Sequence, residues 1–235
     1  MTEDARAGRD AGDPIAALDD ALAGHPLRGE VTPRRYRRML EVAASRLGSV
    51  TVVLENLWDP HNVSAVIRSA EGIGIDEAHV VEQPHRFRVN RGVARGAERW
   101  LRIRRHPDIV GCIARLASEG FVTCAADVGP GCLGLPELPL DRPIAIVLGS
   151  EKDGLTTEAK VVTDLRFTIP MAGMTESFNV SVSAAIALWD LCRRRRALLG
   201  AAGDLALEDR VARVAEWLAR QATSRLRGRP APGPT

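Results

Sequence analysis

The sequence predicts an α/β protein in which a parallel β-sheet is covered by helices on both faces. Two observations lead there. Apolar runs of strand length alternate along the middle of the chain with segments whose apolar residues recur at helical spacing. The run Ile144-Ala145-Ile146-Val147-Leu148 is apolar without interruption, as a strand covered on both faces must be. Strands and helices in such alternation bury their apolar surfaces best as helical layers on either side of one sheet.

The elements follow in order. Residues 1–30 are acidic and rich in alanine and glycine, and read as a disordered acidic tail. Residues 31–48 hold a short basic helix, about 33–47, opened by Thr32-Pro33 in the cap and first-turn positions and closed by Gly48. Ser49-Val50-Thr51-Val52-Val53-Leu54 is the first buried strand. From Val63 the period changes, because Val63, Val66, Ile67 and Ala70 form the apolar stripe of a helix. Further strands are predicted at 78–82, 99–104, 121–126, 143–148 and 166–169, with helices at 108–119, 156–163 and 178–196. These elements make one domain, 49–197. Leu207, Val211, Val214 and Leu218 mark a last amphipathic helix in an extension over 198–222. Residues 223–235, rich in Arg, Pro and Gly, are expected to be disordered.

Composition narrows the class. With 235 residues, 45% of them hydrophobic and 26% charged, the chain can bury one substantial core and a small appendage. No apolar run is long enough to span a bilayer, and the start lacks the basic and apolar regions of a signal peptide, so a cytoplasmic location is expected. Cys112, Cys124, Cys132 and Cys192 form no C-x-x-C pair and meet no paired histidine spacing. Buried reduced thiols are expected, and no metal. The net charge of +2 is unevenly spread, since residues 1–30 carry seven acids against three arginines. Basic residues gather at Arg34, Arg35, Arg37 and Arg38, at Arg86 to Arg105, and at Arg193 to Arg196. All but Lys152 and Lys160 are arginines, whose planar fork suits phosphate and base contacts.

One glycine-rich segment imitates a nucleotide-binding loop. Residues 121–126 run into Asp127-Val128-Gly129-Pro130-Gly131, as a strand runs into the loop of a dinucleotide-binding fold. That loop works only where a helix N-terminus follows at once. Pro136, Pro139 and Pro143 forbid a helix here, so the segment is a turn.

Three other segments carry chemistry. The first runs from Glu55-Asn56-Leu57-Trp58-Asp59-Pro60-His61-Asn62 to Arg68, between a strand and a helix. Asn62 could simply cap the helix, and Arg68 could pair with Glu71 on its surface. The second is Leu148-Gly149-Ser150-Glu151, where an apolar strand ends in a carboxylate at the edge of the sheet that binds ligands in open α/β proteins. Glu151 could also be a first-turn acid favouring a helix dipole. The third is Ile169-Pro170-Met171 continuing to Ser177-Phe178-Asn179, a polar loop before a helix whose Val182, Ile186 and Trp189 share one stripe. Ser177 and Asn179 could be caps, and so apolar a helix belongs in a core or a subunit interface.

In this order and spacing the three segments resemble the motifs of the SPOUT methyltransferases, and most closely the TrmH group, which methylates the ribose 2′-hydroxyl of a guanosine in the tRNA D-loop. The likeness runs from about Val31 to Arg220. It implies a trefoil-knotted α/β domain, an exception to the rule that chains avoid knots, acting as a homodimer. It implies S-adenosylmethionine as cofactor, held near Ala126, Gly149, Ile169 and Phe178. It also implies tRNA as partner, contacted by Arg38, Arg46, Arg193 and Arg195. Arg68 matches the family's catalytic arginine, with Asn62, Glu151, Ser177 and Asn179 holding it and the ribose in register. A guanidinium, with a pKa above ~12, is a poor base, so the resemblance leaves open whether Arg68 takes a proton or orients the nucleotide. Two departures stand out: Ser69-Ala70-Glu71 where the group has Thr-Cys-Asp, and Phe178 in place of leucine, which would narrow the adenosine pocket. Two other readings stand beside this one, the same chemistry on 23S ribosomal RNA and a catalytically silent RNA-binding protein on the same fold.

Overall fold

The computed structural model describes residues 13–228 except Trp58 and residues 83–88. The outer parts of both expected tails, and part of the basic cluster from Arg86 onward, lie outside the described residues. In chain order the helices are α1 (Pro14–Ala21), α2 (Pro33–Ala44), α3 (Pro60–Ile73), α4 (Arg91–Ala94), α5 (Ile109–Ser118), α6 (Thr157–Val162), α7 (Val180–Leu199) and α8 (Leu207–Gly228). The strands are β1 (Val50–Glu55), β2 (Glu77–Val81), β3 (Arg102–His106), β4 (Val122–Ala126), β5 (Leu133–Gly134), β6 (Ile144–Leu148) and β7 (Leu165–Thr168). Two compact units result, one of residues 47–204 and one joining residues 1–46 to 205–235.

The larger unit is a seven-stranded sheet in the order β3-β2-β1-β6-β4-β7-β5, with every pairing parallel. Side chains alternate along each strand, so the sheet feeds two cores. Val50, Val52 and Leu54 of β1, with Ile144, Ile146 and Leu148 of β6, face Val63, Val66 and Ile67 of α3 and Ala184, Leu188 and Leu191 of α7. Val53, Ala145 and Val147 point the other way, toward Ile109, Cys112, Ile113 and Leu116 of α5 and Ala159 of α6. Burying each large aliphatic side chain contributes about 1.5–3 kcal/mol, and the threonines buried in these strands are hydrogen-bonded, Thr51 Oγ1 donating to the Glu77 carbonyl at 2.7 Å and Thr123 Oγ1 to Asp164 Oδ2 at 2.8 Å. Cys112, Cys124 and Cys192 are buried free thiols, and burial pushes each up to about 12.

The predicted strands and helices recur within a few residues of their expected ends. The exception is the strand expected at 99–104, which begins only at Arg102 because a 3-10 turn occupies Ala97–Arg99. The glycine segment after β4 is a turn, with Gly129 and Gly131 at positive φ and no α-helix before β6. Three of the four consecutive arginines on α7 turn inward. Arg194 donates to the Leu135 carbonyl at 3.1 Å, Arg195 to the Leu140 carbonyl at 2.6 Å and to Ser49 Oγ at 2.9 Å, and Arg196 to the Ile73 carbonyl at 2.9 Å. They satisfy loop carbonyls that would otherwise be stranded. Arg195, expected to contact RNA, is half-buried, and among these four only Arg193 is exposed.

The terminal unit departs from the sequence expectation. Residues 14–22 are not part of a disordered tail. Asp13 caps α1, accepting from the Ile15 amide at 2.9 Å, and Leu18 and Leu22 are buried in the unit that α1 forms with α2 and α8. Tyr36, Met39, Leu40 and Ala43 supply the buried face of α2, and Val214, Trp217 and Leu218 that of α8. Helix α8 runs to Gly228, beyond the residue 223 where disorder was expected. Arg46, expected on RNA, is fully buried, its guanidinium 5.7 Å from the centre of the Trp217 ring. An aromatic face accommodates a buried guanidinium, and this one is withdrawn from the surface. Arg38 remains exposed on α2.

Candidate active site

The site is assembled where three strands end. The loops after β4, β6 and β7 surround a cleft of ≈ 400 Å³ at the carboxyl edge of the sheet, the edge where open α/β sheets bind ligands. Ala126, Gly149, Ile169 and Phe178, the four expected cofactor contacts, all line it, and so do Glu151 and Ser177. Its apolar walls come from Leu148, Phe167, Ile169 and Phe178. Polar groups stand at a few points only, among them Asp127, Glu151, Lys160 and Glu176. Burial alone would raise the Asp127 carboxyl, but the Lys160 ammonium at 2.9 Å, the Val128 amide and Arg166 beyond hold it below the usual carboxylate value.

The loop after β6 is shaped by backbone packing. Ser150 and Gly154 exchange two backbone hydrogen bonds, and Gly154 turns the chain at φ 68°. The turn folds so tightly over Gly149 that a Cβ there would stand 2.2 Å from the Gly154 carbonyl carbon. Only glycine fits. Beyond the turn, Glu55 at the end of β1 accepts from the Thr156 amide at 3.0 Å and from Thr156 Oγ1 at 2.6 Å. This buried carboxylate pins the loop to the neighbouring strand. Sequence reasoning passed over Glu55, although an acid closing an otherwise apolar strand was the available signal.

Three of the expected catalytic residues meet. Asn62 Nδ2 donates to Glu151 Oε1, and Asn179 Nδ2 donates to Asn62 Oδ1 at 3.1 Å. These residues come from the start of α3, the loop after β6 and the start of α7, separated by 89 and 117 positions in the chain. The bland readings divide. Asp59, not Asn62, caps α3, accepting from the His61 amide at 2.8 Å with Pro60 behind it. That frees Asn62 for the tertiary contact. Asn179 does cap α7, through the Ser181 amide at 2.9 Å, and uses its amide nitrogen for Asn62 as well. Glu151 lies in a turn before α6 and is no first-turn acid.

Arg68 stands apart. Six residues beyond Asn62 on α3, it is rotated by about 240° around the axis. It is exposed and does not line the cleft.

An open parallel sheet with helices on both faces, a cleft at its carboxyl edge and a polar relay joining three loops defines a small-ligand-binding α/β protein of the enzyme kind. The chain belongs to the SpoU rRNA Methylase family, whose pattern matches residues 49–189. It is 36% identical over 166 residues to the tRNA (guanosine(18)-2′-O)-methyltransferase of Escherichia coli K12, covering 71% of this chain and 72% of that one. The enzyme of the same name from Thermus thermophilus is also 36% identical, with 86% of its length covered. Among solved structures, the A. aeolicus TrmH/SpoU tRNA modifying enzyme superposes with a TM-score of 0.74 at 25% identity, over 80% of this chain and 96% of that one. The fold is shared also with the SpoU methyltransferase AviRb from Streptomyces viridochromogenes, solved in complex with AdoMet (TM-score 0.55, 24% identity, 63% of this chain and 60% of that one).

Proposed function

We propose that this protein transfers a methyl group from S-adenosylmethionine to the ribose 2′-hydroxyl of a guanosine in the D-loop of tRNA. The observation that carries this reading is the convergence of Asn62, Glu151 and Asn179 beside a cleft lined by the four expected cofactor contacts. The names of the relatives supply the substrate, and the AdoMet complex of AviRb supports the cofactor.

The cleft suits that cofactor. Its ≈ 400 Å³ lies in the range of small-molecule sites. Leu148, Ile169 and Phe178 would hold the adenosine between apolar walls, and Glu151 and Glu176 would face a cationic centre. When bound, the cofactor supplies a methyl group on a sulfonium, an electrophile that needs alignment more than activation. The chain's own residues supply that alignment. Glu151, tethered to Asn62, fixes the mouth of the cleft, and Asn179 joins it to the first turn of α7. Ser177, exposed on the lining, offers a hydroxyl to an incoming ribose. Arg68 would engage the ribose and its phosphate through the guanidinium fork, Arg38 and Arg193 would meet the RNA backbone, and Arg46 and Arg195 are left out of that surface.

The reading includes a trefoil-knotted chain, a cytoplasmic location and a homodimer joined through α7. Among the described residues no helix is long and apolar enough to cross a membrane. The outward side of α7, with Val182 44% and Trp189 62% exposed, supports the dimer.

The test is nucleoside mass spectrometry after incubating tRNA and, separately, ribosomal RNA with the protein and methyl-labelled cofactor. Labelled 2′-O-methylguanosine from tRNA is the expected product. Label on a base, or on ribosomal RNA alone, would overturn the proposal.

A further inference from the structure

Away from the cleft, on the face of the sheet covered by α5, three side chains capable of ligating a metal come together. His79 Nδ1 lies 3.0 Å from His106 Nε2. One ring nitrogen from each histidine and Cys112 Sγ all lie within 4.8 Å of one another. The architecture accounts for the meeting. Val81 pairs with His106 in the register of β2 and β3, so His79 stands two residues back on the same face of the adjacent strand. Helix α5 lays its buried stripe across that face, and Cys112 belongs to the stripe. All three residues are buried, His106 retaining 8% exposure at the end of its strand.

We propose that His79, His106 and Cys112 form a binding site for a zinc ion. Two imidazoles and a thiolate are a donor set that suits zinc among the common divalent ions. A second observation concerns what stands behind the first ligand. The outer nitrogen of His79, Nε2, faces Glu77 Oε1 at 3.5 Å. Glu77 is itself fixed by Arg104, which donates from Nε at 2.6 Å and from Nη2 at 2.9 Å. A carboxylate behind a histidine orients the ring and selects its tautomer, the usual support of a ligating imidazole. With the proton of His79 on Nε2, the lone pair of Nδ1 points into the cluster.

Binding requires small movements and no redox change. Bonds of about 2.0–2.1 Å to nitrogen and about 2.3 Å to sulfur bring the donors to within roughly 3.3–3.7 Å of one another. His106 then carries its proton on Nδ1, the thiol proton of Cys112 leaves to solvent, and the ion bonds to two nitrogens and a thiolate. The nearby guanidinium groups are themselves paired, Arg104 with Glu77 and Arg115 with Glu119 at 2.8 Å, which offsets part of their charge.

The site is tested with the full chain, stripped by a chelator and titrated with cobalt(II) as a spectroscopic substitute and with zinc by competition against a chromophoric chelator. One equivalent of either ion is expected to bind, cobalt giving a thiolate charge-transfer band. Zinc should raise the unfolding midpoint of the stripped protein, since an ion bound only by the folded state stabilises it. Cys112→Ala and His106→Asn should abolish the band and the shift. Absence of binding to the wild-type protein would overturn the site, as would a band that survives in Cys112→Ala. Should the variants not fold, zinc-edge X-ray absorption of the wild-type complex decides: one sulfur with nitrogen neighbours supports the site, and coordination without sulfur removes it.

Discussion

Arg68 and Gly149 make opposite demands on their surroundings. Arg68 is exposed, and its proposed work lies in the shape of its fork. If it were a surface charge, Arg68→Lys would keep that charge and cost at most a fraction of a kcal/mol of stability. If it engages a ribose and a phosphate, lysine cannot reproduce the planar contact. We expect cofactor binding by Arg68→Lys to survive while single-turnover methyl transfer to a tRNA transcript falls by about 10²-fold, the scale of a lost positioned group. Near-normal transfer would remove Arg68 from the catalytic set. Gly149 is required by packing. A methyl there meets backbone 2.2 Å away, and backbone cannot step aside as a side-chain end can. Gly149→Ala is therefore expected to open the 149–155 turn and to weaken cofactor binding, read by calorimetric titration, more than it lowers the unfolding midpoint. Binding equal to wild type would show that the turn does not shape the cleft.

At the scale of elements, α1 departs most from its sequence reading. Composition assigned α1 to an acidic tail, because acids and small residues dominate the first 30 positions. Ile15, Leu18 and Leu22 fall at helical spacing, but three apolar residues among acids and alanines are a short periodic signal. In the structure Leu18 and Leu22 are buried, so removing residues 1–28 is expected to destabilise the terminal unit. Leu18→Ala, which leaves the rest of α1 in place, should cost about 2–5 kcal/mol, the usual range for a leucine truncated inside a core. Denaturant unfolding measures it, and a loss below about 0.5 kcal/mol, the range of an ordinary surface change, would return α1 to the status of a tail. The nearly all-apolar sequence of helix α7 predicts a place in a core or an interface. Its inner side, with Ala184, Leu188 and Leu191, is core, whereas Val182 and Trp189 on the outer side are exposed.

The whole molecule is expected to be a dimer. A tryptophan and a valine held 62% and 44% exposed on a rigid helix form an apolar surface that a second copy would cover. Sedimentation at micromolar concentration should give twice the mass of 25.4 kDa. Trp189→Glu should shift that mass toward the monomer without unfolding the chain. A wild-type monomer at that concentration would contradict the arrangement.

The local code of the chain determined most of the larger unit. The uninterrupted apolar run of β6, the helical stripe of α3 and the prolines after the glycine turn each act over a few residues, and each element formed where its pattern lay. The residues of the cleft were legible because the family motifs sit at strand ends, and strand ends are visible in sequence. What belongs to tertiary structure alone is which polar groups meet. Asn62 reaches Glu151 because Asp59 took the cap of α3. Arg46 and Arg195 were spent on a tryptophan face and on loop carbonyls rather than on a basic surface. His79, His106 and Cys112 converge from three elements whose spacing fits no metal motif. Such pairings depend on strand register and helix docking, which arise from the packing of the entire sheet, and no short stretch of sequence records them.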